Sequence, residues 1–416
     1  MRACVSKQVS KGILEKYRHL FGSFDSSCNE MSLLLLGVLL TTLLSGSTAQ
    51  SPPVPNPMRP APFYSWDVLP RAFHGANETG MFDAYGVATL ANYSMVTIEK
   101  WYTPCGAQMP NQSGPDCAVE DKMFDTFRAL KSLHPEHTNN IYLNTMFNFA
   151  FYRLNGIILA REAAGEKLLL RDMYGTLVEL CNDGNHYCNV TNFDWTVPAM
   201  LDLWLEAVTN ATTSGGVDGV FADHLQSNIG NQTIDGTPQL CNGSDALRTC
   251  WNFTTAFAQA FNDAHVWLGN KTQDMLARLP GKGPVVDGPY SSWAATFPAC
   301  DYIKLRAAVL AGQAGDSPFV LEANHGGAGS YSCFPDDSCI ANFLAAAEEF
   351  TYLTCFSNSP VNSTGNQFSY SLGPPTGPPI ETRGIVRRSF SGPAGLTNVS
   401  VNLASGKGVM EWAALL

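Results

Sequence analysis

Gly215-Gly216-Val217-Asp218-Gly219-Val220-Phe221-Ala222-Asp223-His224 is the stretch that decides the fold. The glycine pair interrupts whatever precedes it. Val220-Phe221-Ala222 is then a short apolar run bounded by acids, the pattern of a fully buried parallel strand. The run stops on Asp223. Ligands and catalytic groups gather at the carboxyl ends of parallel strands, and a carboxylate placed there has to be solvated, paired or used. The plain alternative is that Asp223 caps the next helix.

On either side of this run, strand-like and helix-like segments alternate. The expected strands are Phe63-Tyr64-Ser65-Trp66, Met95-Val96-Thr97-Ile98, residues 141–147, Val220-Phe221-Ala222, residues 284–287, Tyr302-Ile303-Lys304-Leu305-Arg306, Phe319-Val320-Leu321-Glu322 and residues 351–356. Helices are expected between them. Met123, Phe124, Phe127 and Leu130 recur at helical spacing, as do Leu201, Trp204, Leu205 and Val208 behind Pro198, with Asp194 and Thr196 as capping candidates. Further helices are marked by Phe257, Phe261, Ala264 and Leu268, and by Ile340, Phe343, Leu344 and Ala347. Eight strand candidates separated mostly by helices predict an α/β fold. A (β/α)8 TIM-type barrel is preferred to a doubly wound sheet. No GxGxxG or Walker loop opens a helix, which removes the usual dinucleotide and nucleotide readings of an open sheet.

The ends of the chain read differently. Met31-Ser32-Leu33-Leu34-Leu35-Leu36-Gly37-Val38-Leu39-Leu40 is an apolar run too short for a comfortable membrane span, and Ser47-Thr48-Ala49 supplies the small residues of a cleavage site. Residues 1–49 are therefore expected to be a leader cut before Gln50. Met31 is a second candidate start, and a retained signal anchor is the rival reading. Residues 50–62 form a proline-rich arm and 63–365 the barrel. Beyond the Gly373-Pro374-Pro375 cluster, residues 366–416 form a small antiparallel β appendage, in which Val399, Val401 and Leu403 alternate with Asn398, Ser400 and Asn402.

Twenty lysines and arginines against 33 aspartates and glutamates follow Gln50, a balance that argues against nucleic acid or an anionic membrane as partner. After cleavage the chain is expected to be free of membranes and secreted. Eleven N-glycosylation sequons agree: Asn77, Asn92, Asn111, Asn189, Asn210, Asn231, Asn242, Asn252, Asn270, Asn362 and Asn398. Ten cysteines follow the leader. Cys105/Cys117, Cys181/Cys188, Cys241/Cys250 and Cys333/Cys339 are close pairs that would leave Cys300 for Cys355, although spacing does not fix connectivity. No CxxC occurs and His134/His137 sit at a helix end, so neither metal nor cofactor is expected. Oligomeric state is not legible.

Three expected strands end on acids: Asp223, Asp287 and Glu322. Converging at one barrel mouth, two carboxylates of opposite protonation meet the requirement of glycoside hydrolysis. One attacks the anomeric carbon or activates water, and the other protonates the leaving oxygen. A separation of about 5–5.5 Å would retain anomeric configuration, and about 6.5–9.5 Å would invert it. Aromatic residues available to stack on sugars include Trp66, Trp101, Tyr174, Tyr290 and Trp293, with packing as the plain alternative for each.

From Leu168 to Trp412 the chain resembles uncharacterised glycoside-hydrolase-like (β/α)8-barrel families. The residues that carry the resemblance are Arg171-Asp172-Met173-Tyr174-Gly175, Phe193-Asp194-Trp195-Thr196-Val197-Pro198, Asp218-Gly219-Val220-Phe221-Ala222-Asp223, and a tail with Arg388-Ser389-Phe390, Val399-Ser400-Val401-Asn402 and Trp412. The resemblance implies a carbohydrate-active barrel with the acid on strand four as the catalytic candidate. The α-amylase-like barrels are similar in placing acids on strands four, five and seven, but they carry Glu on strand five where this chain has Asp287. The choice of proton donor between Asp287 and Glu322 therefore stays open. The expected function is O-glycoside hydrolysis of a poly- or oligosaccharide. Asp223, Glu322 and Asp287 are the catalytic candidates. Trp66, Glu99, Trp101, Asn144, Arg171, Asp172, His224, Tyr290, Asn324 and His325 are the substrate-binding candidates. A non-catalytic carbohydrate-binding barrel is the alternative. A serine esterase fails, because His325-Gly326-Gly327 has no G-x-S-x-G to serve.

Overall fold

The structure is a computed structural model that describes residues 63–77, 82–99, 119–182, 187–224, 229, 232–234, 236–241, 249–278, 286–287, 300–313, 321–324, 336–357 and 371–413. Among the described residues seven strands form one parallel sheet. They are β1 (Arg71–Gly75), β2 (Met95–Ile98), β3 (Thr138–Asn144), β6 (Gly219–Asp223), β10 (Val286–Asp287), β11 (Leu321–Asn324) and β12 (Thr351–Ser357). Their order is β10-β6-β3-β2-β1-β12-β11, so the first strand lies between the second and the last. A two-stranded sheet joins β4 (Glu179–Asn182) to β5 (Tyr187–Thr191). A three-stranded one holds β7 (Gln232–Ile234), β8 (Thr237–Cys241) and β9 (Cys250–Asn252).

The quoted stretch folds as its sequence directs. Val220, Phe221 and Ala222 are fully buried and Asp223 ends the strand. Gly216 has φ +81° and passes so close to the Phe127 carbonyl carbon that a Cβ would lie 2.7 Å from it, so only glycine fits. Asp218 then anchors the strand start, accepting from the Asn139 amide at 2.8 Å and pairing with Lys131 at 2.7 Å.

The helices are α1 (Ala84–Leu90), α2 (Val119–Leu133), α3 (Arg153–Ala163), α4 (Pro198–Thr213), α5 (Thr255–Arg278), α6 (Tyr302–Gln313) and α7 (Asp337–Ala346). In α4 the buried stripe is Met200, Leu203, Trp204, Val208 and Ala211, rotated from the expected one. Val197 occupies the N-cap without a side-chain bond, while Asp194 accepts from the Thr196 amide and hydroxyl in a local turn.

Two expected strands are something else. Residues 63–66 lie at the starts of the strands. The Phe63 amide donates to Thr138 Oγ1 at 2.7 Å, Tyr352 Oη donates to the Phe63 carbonyl at 2.8 Å, and Tyr64 Oη donates to the Glu348 carbonyl. The first strand is instead β1. Residues 302–306 open α6, because Leu305, Ala308 and Val309 are the buried positions and their spacing of three and four is helical.

The C-terminal segments pair as an antiparallel sheet of β13 (Ile380–Thr382), β14 (Ile385–Gly392), β15 (Gly395–Asn402) and β16 (Gly408–Glu411), in sequence order. Thr397, Val399 and Val401 are buried while Asn398 and Asn402 are exposed. This sheet packs with α6 and α7 in a second apolar cluster that includes Ile340, Phe343, Val386 and Phe390. Gly408 allows the close approach: a Cβ there would lie 2.5 Å from the Ser338 carbonyl oxygen.

Two disulfides lie among the described residues, Cys241–Cys250 and Cys300–Cys339. The first is the expected local bridge. The second replaces both Cys333–Cys339 and Cys300–Cys355, because Cys339 is buried in the first turn of α7 and meets the residue just ahead of α6. Such bridges fit an extracellular protein. Cys105 and Cys117 lie outside the described residues, and only the backbone is described at Cys181 and Cys188. Among the described residues no helix is long and apolar enough to cross a membrane.

Glu120, in the first turn of α2, caps a different helix. Its Oε1 accepts from the Arg153 amide at 2.8 Å, supplying the bond that Tyr152, the N-cap of α3, does not make. Burial pushes the Glu120 carboxyl up to about 7. An unfolded glutamate titrates near about 4.3, so between these values the folded chain holds a proton that the unfolded chain lacks, and stability falls as pH rises. His137, lowered by burial to about 4, works in the opposite sense over an overlapping window. Its contribution is common to wild type and Glu120→Gln. The stability difference between them should shift in favour of the variant by about 2–3 kcal/mol from pH 5 to pH 8. Urea unfolding at the two pH values measures it, and a constant difference would show that Glu120 is not a buried acid.

Candidate active site

The carboxyl ends of β1, β2, β3 and β6 bring a set of polar side chains together. Register defines the shared face. Asp223 pairs with Asn144 and Phe221 with Tyr142, Asn140 pairs with Thr97, Thr97 with His74, and His74 with Phe356. Successive residues of a strand alternate between faces, so Tyr142 and Asn144 are neighbours on this one.

Asp223 is held through one oxygen. Its Oδ2 accepts from Tyr142 Oη at 2.5 Å and from Asn144 Nδ2 at 3.0 Å, and His224 Nε2 lies 3.5 Å away. Among the described residues no hydrogen bond occupies Oδ1. The Asn144 amide cannot turn around, because its Oδ1 already accepts from the Met146 and Phe147 amides, each at 2.7 Å. That fixes its Nδ2 toward Asp223 and toward Tyr142 Oη, 2.8 Å away. Burial pushes the Tyr142 phenol well above its ordinary range and the Asp223 charge adds to the effect, so Tyr142 stays a donor. His224 follows the strand with φ 67°, a left-handed turn, and sets its ring edge-on to Phe147 at 5.2 Å.

The backbone behind the carboxylate is equally tied. The Asp223 carbonyl accepts from the Thr145 amide at 2.9 Å and from Thr145 Oγ1 at 2.7 Å. The Thr145 hydroxyl also meets His265 Nε2 at 2.9 Å, and Trp195 Nε1 donates to the Thr145 carbonyl at 2.8 Å. On the other side, His74 Nε2 and Glu99 Oε1 are 2.8 Å apart, both buried, and the His74 ring stands edge-on to Phe221 at 4.4 Å. The result is a one-sided carboxylate: one oxygen is oriented by fixed donors, and among the described residues the other accepts no hydrogen bond.

No family model matches the chain, and no curated protein matches it in sequence. Among solved structures the chain is similar to a GH31 dextranase from Flavobacterium johnsoniae, FjDex31A, complexed with glucose, at TM-score 0.42 and 10% identity. The match covers 74% of this chain and 39% of that one. It is also similar to a GH31 family sulfoquinovosidase from E. rectale, with TM-score 0.41, 13% identity, and coverage of 81% and 48%. A third is a cycloalternan-degrading enzyme from Trueperella pyogenes, with TM-score 0.39, 14% identity, and coverage of 73% and 46%. The chain spans less than half the length of each. The likeness is one of fold alone.

Of the residues singled out in the sequence, Asp223, His224, Asn144 and Glu99 are placed in this cluster. Asp287 and Glu322 are described by backbone, and register separates them. Asp287 pairs with Ala222, which falls on the opposite face from Asp223. Glu322 pairs with Tyr352 and Asn324 with Thr354, four and two residues before Phe356 and therefore on the face of His74. Trp66 is elsewhere, packed against Tyr64 and Phe390 with the Arg388 guanidinium 5.9 Å from its ring centre. Arg171 pairs with Glu162 at 2.7 Å, and Asp172 accepts from the Tyr174 and Thr176 amides to shape a turn. Trp101, Tyr290, Trp293 and His325 lie outside the described residues. Tyr142 and His74 were missed. The signal for Tyr142 was its alternation with Asn144 between buried Ile141 and Leu143. His74 was obscured when residues 63–66 were read as the first strand. Among the described residues no group of three His, Cys, Asp or Glu is placed to hold a metal ion.

Proposed function

We propose that the chain is a secreted glycoside hydrolase acting on O-glycosidic bonds, its parallel sheet belonging to a (β/α)8 barrel. The observation that carries the reading is the asymmetric setting of Asp223. Its Oδ2 is fixed by Tyr142 and Asn144 while Oδ1 is left to meet a substrate or a water. Asp223 would serve as nucleophile or general base, and Glu322, sharing its face by register, as the proton donor in preference to Asp287. His224 and Asn324 would line the same mouth and hold sugar hydroxyls. Sugar rings bind through many such polar contacts, and a fixed hydrogen-bonding wall suits a carbohydrate better than an apolar substrate.

The test is reducing-end release from a panel of α- and β-linked neutral oligosaccharides. Hydrolysis of at least one linkage class is expected. Binding without release across the panel would replace this reading with a carbohydrate-binding barrel. On the cleaved substrate, Tyr142→Phe keeps the ring that stacks on Phe221 and removes the donor to Asp223 together with the oxygen that accepts from Asn144 Nδ2. Its kcat should fall by about 10–100-fold, the worth of a hydrogen bond to a charged group, with KM nearly unchanged. An unchanged kcat would mean that Tyr142 does not orient the reacting carboxylate.

A further inference from the structure

Outside the strand-end cluster, a cavity of about 150 Å³ lies between α2, α3, α4 and the outer face of β3. Its floor is Ile141 and Leu143, and Phe124 and Trp204 form part of its walls. Asn148, Arg153, Glu206, Asn210 and Ser214 also line it, and one buried polar atom of the lining lacks a partner among the described residues. Glu120 is 8% exposed, its Oε1 is taken by the Arg153 amide, and among the described residues its buried Oε2 has no hydrogen-bond partner. A buried acceptor left unmade is destabilising, and a ligand that supplies a donor there removes that cost.

Size and lining define the class of ligand. A cavity of this volume with an apolar lining accepts a benzene-sized ring. The one buried carboxyl oxygen without a partner asks for one hydroxyl on that ring, which can accept from the protonated acid or donate to the ionised one. A neutral ligand is favoured, because burial keeps Glu120 protonated up to about 7 and Glu206 and Arg153, of opposite charge, line the same cavity. We propose that this cavity is a binding site for a small neutral hydroxylated aromatic, its ring between α2 and α4 and its hydroxyl hydrogen-bonded to Glu120 Oε2. The site is separate from the open oxygen of Asp223. It does share Asn144 with the cluster, since that residue lines the cavity while its amide holds Asp223.

Phenol is the probe. Isothermal titration of the full chain should give saturable binding with a dissociation constant of about 1 mM or tighter, within reach of a ligand of seven heavy atoms. Toluene, which keeps the ring and loses the hydroxyl, should bind about fivefold or more weakly, the equivalent of one hydrogen bond. Ala207→Phe fills the cavity from α4 without touching Glu120 and should abolish phenol binding. Should that variant not fold, intermolecular NOEs from phenol to the methyl groups of Ile141 and Leu203 on the wild-type chain are the equivalent readout. No saturable binding, equal affinity for toluene, undiminished binding to a folded Ala207→Phe chain, or NOEs only to residues outside the cavity lining would each overturn the proposal.

Discussion

Asp223→Asn should lower turnover by roughly 10³–10⁵-fold with the fold intact, the range expected when a reacting group is removed from an otherwise complete site. The substitution keeps shape and hydrogen bonding where they matter for structure. Tyr142 Oη and Asn144 Nδ2 both donate to the same oxygen, so an asparagine would turn its carbonyl toward them. Its amide nitrogen would then occupy the open position, where it can neither attack nor accept a proton from water. The Thr145 bonds go to the backbone carbonyl and are untouched. Binding of the substrate should survive, with KM within a few-fold. A folded Asp223→Asn chain turning over at near the wild-type rate would remove Asp223 from the chemistry and leave it as a structural strand end.

Trp195→Ala should cost about 3–5 kcal/mol of stability, as large buried aromatic deletions do. Trp195 is fully buried, stacks on His265 at 5.8 Å and 11°, and stands edge-on to Trp204 at 6.4 Å. Its removal opens a cavity and also leaves the Thr145 carbonyl without its indole donor. Because Thr145 holds the Asp223 backbone, activity should fall even at temperatures where the variant is folded. Trp195→Phe should recover much of the packing and little of the hydrogen bond. Denaturant midpoints measure the first effect and turnover of the folded fraction the second. A loss below about 1 kcal/mol would mean that the layer beneath Asp223 relaxes freely.

The parts of the fold that were legible are those where local pattern and tertiary placement agree. The run from Val220 to Ala222 is apolar, short, preceded by glycines and ended by an acid, and nothing but a buried strand satisfies all four. The alternation in β15 was equally plain, because one face is wet. Residues 63–66 misled because an aromatic run has strand propensity wherever it sits, while its position here is set by bonds to Thr138, Glu348 and Tyr352, 75 to 289 residues away. The true first strand carries Arg71 and His74, both buried, which read as surface residues until their partners Asn92 and Glu99 are known. Cys300–Cys339 was hidden for the same reason: spacing favours local loops, and only the approach of α6 to α7 brings these sulfurs together.

The candidate site divides along the same line. Asp223 could be found because it ends a strand, and position along a strand is local information, whereas Asn144 falls inside the expected strand 141–147 and β3 ends on it. Tyr142 has only its alternation with Asn144 as a local signal, because its bond to Asp223 depends on a strand 81 residues further on. Arg171 and Asp172, prominent in sequence, are occupied by Glu162 and by a turn, which short-range chemistry alone could not distinguish from a place in the mouth.

The most direct test of the account is a crystal structure of the Asp223→Asn chain with an oligosaccharide that the wild type cleaves. The account predicts a glycosidic carbon, or a water aligned on it, within about 3.5 Å of the side-chain atom at the open position of residue 223, with Tyr142 and Asn144 still bonded to the other. A sugar bound away from this strand end, or a residue 223 whose two side-chain atoms are both engaged by protein, would contradict it.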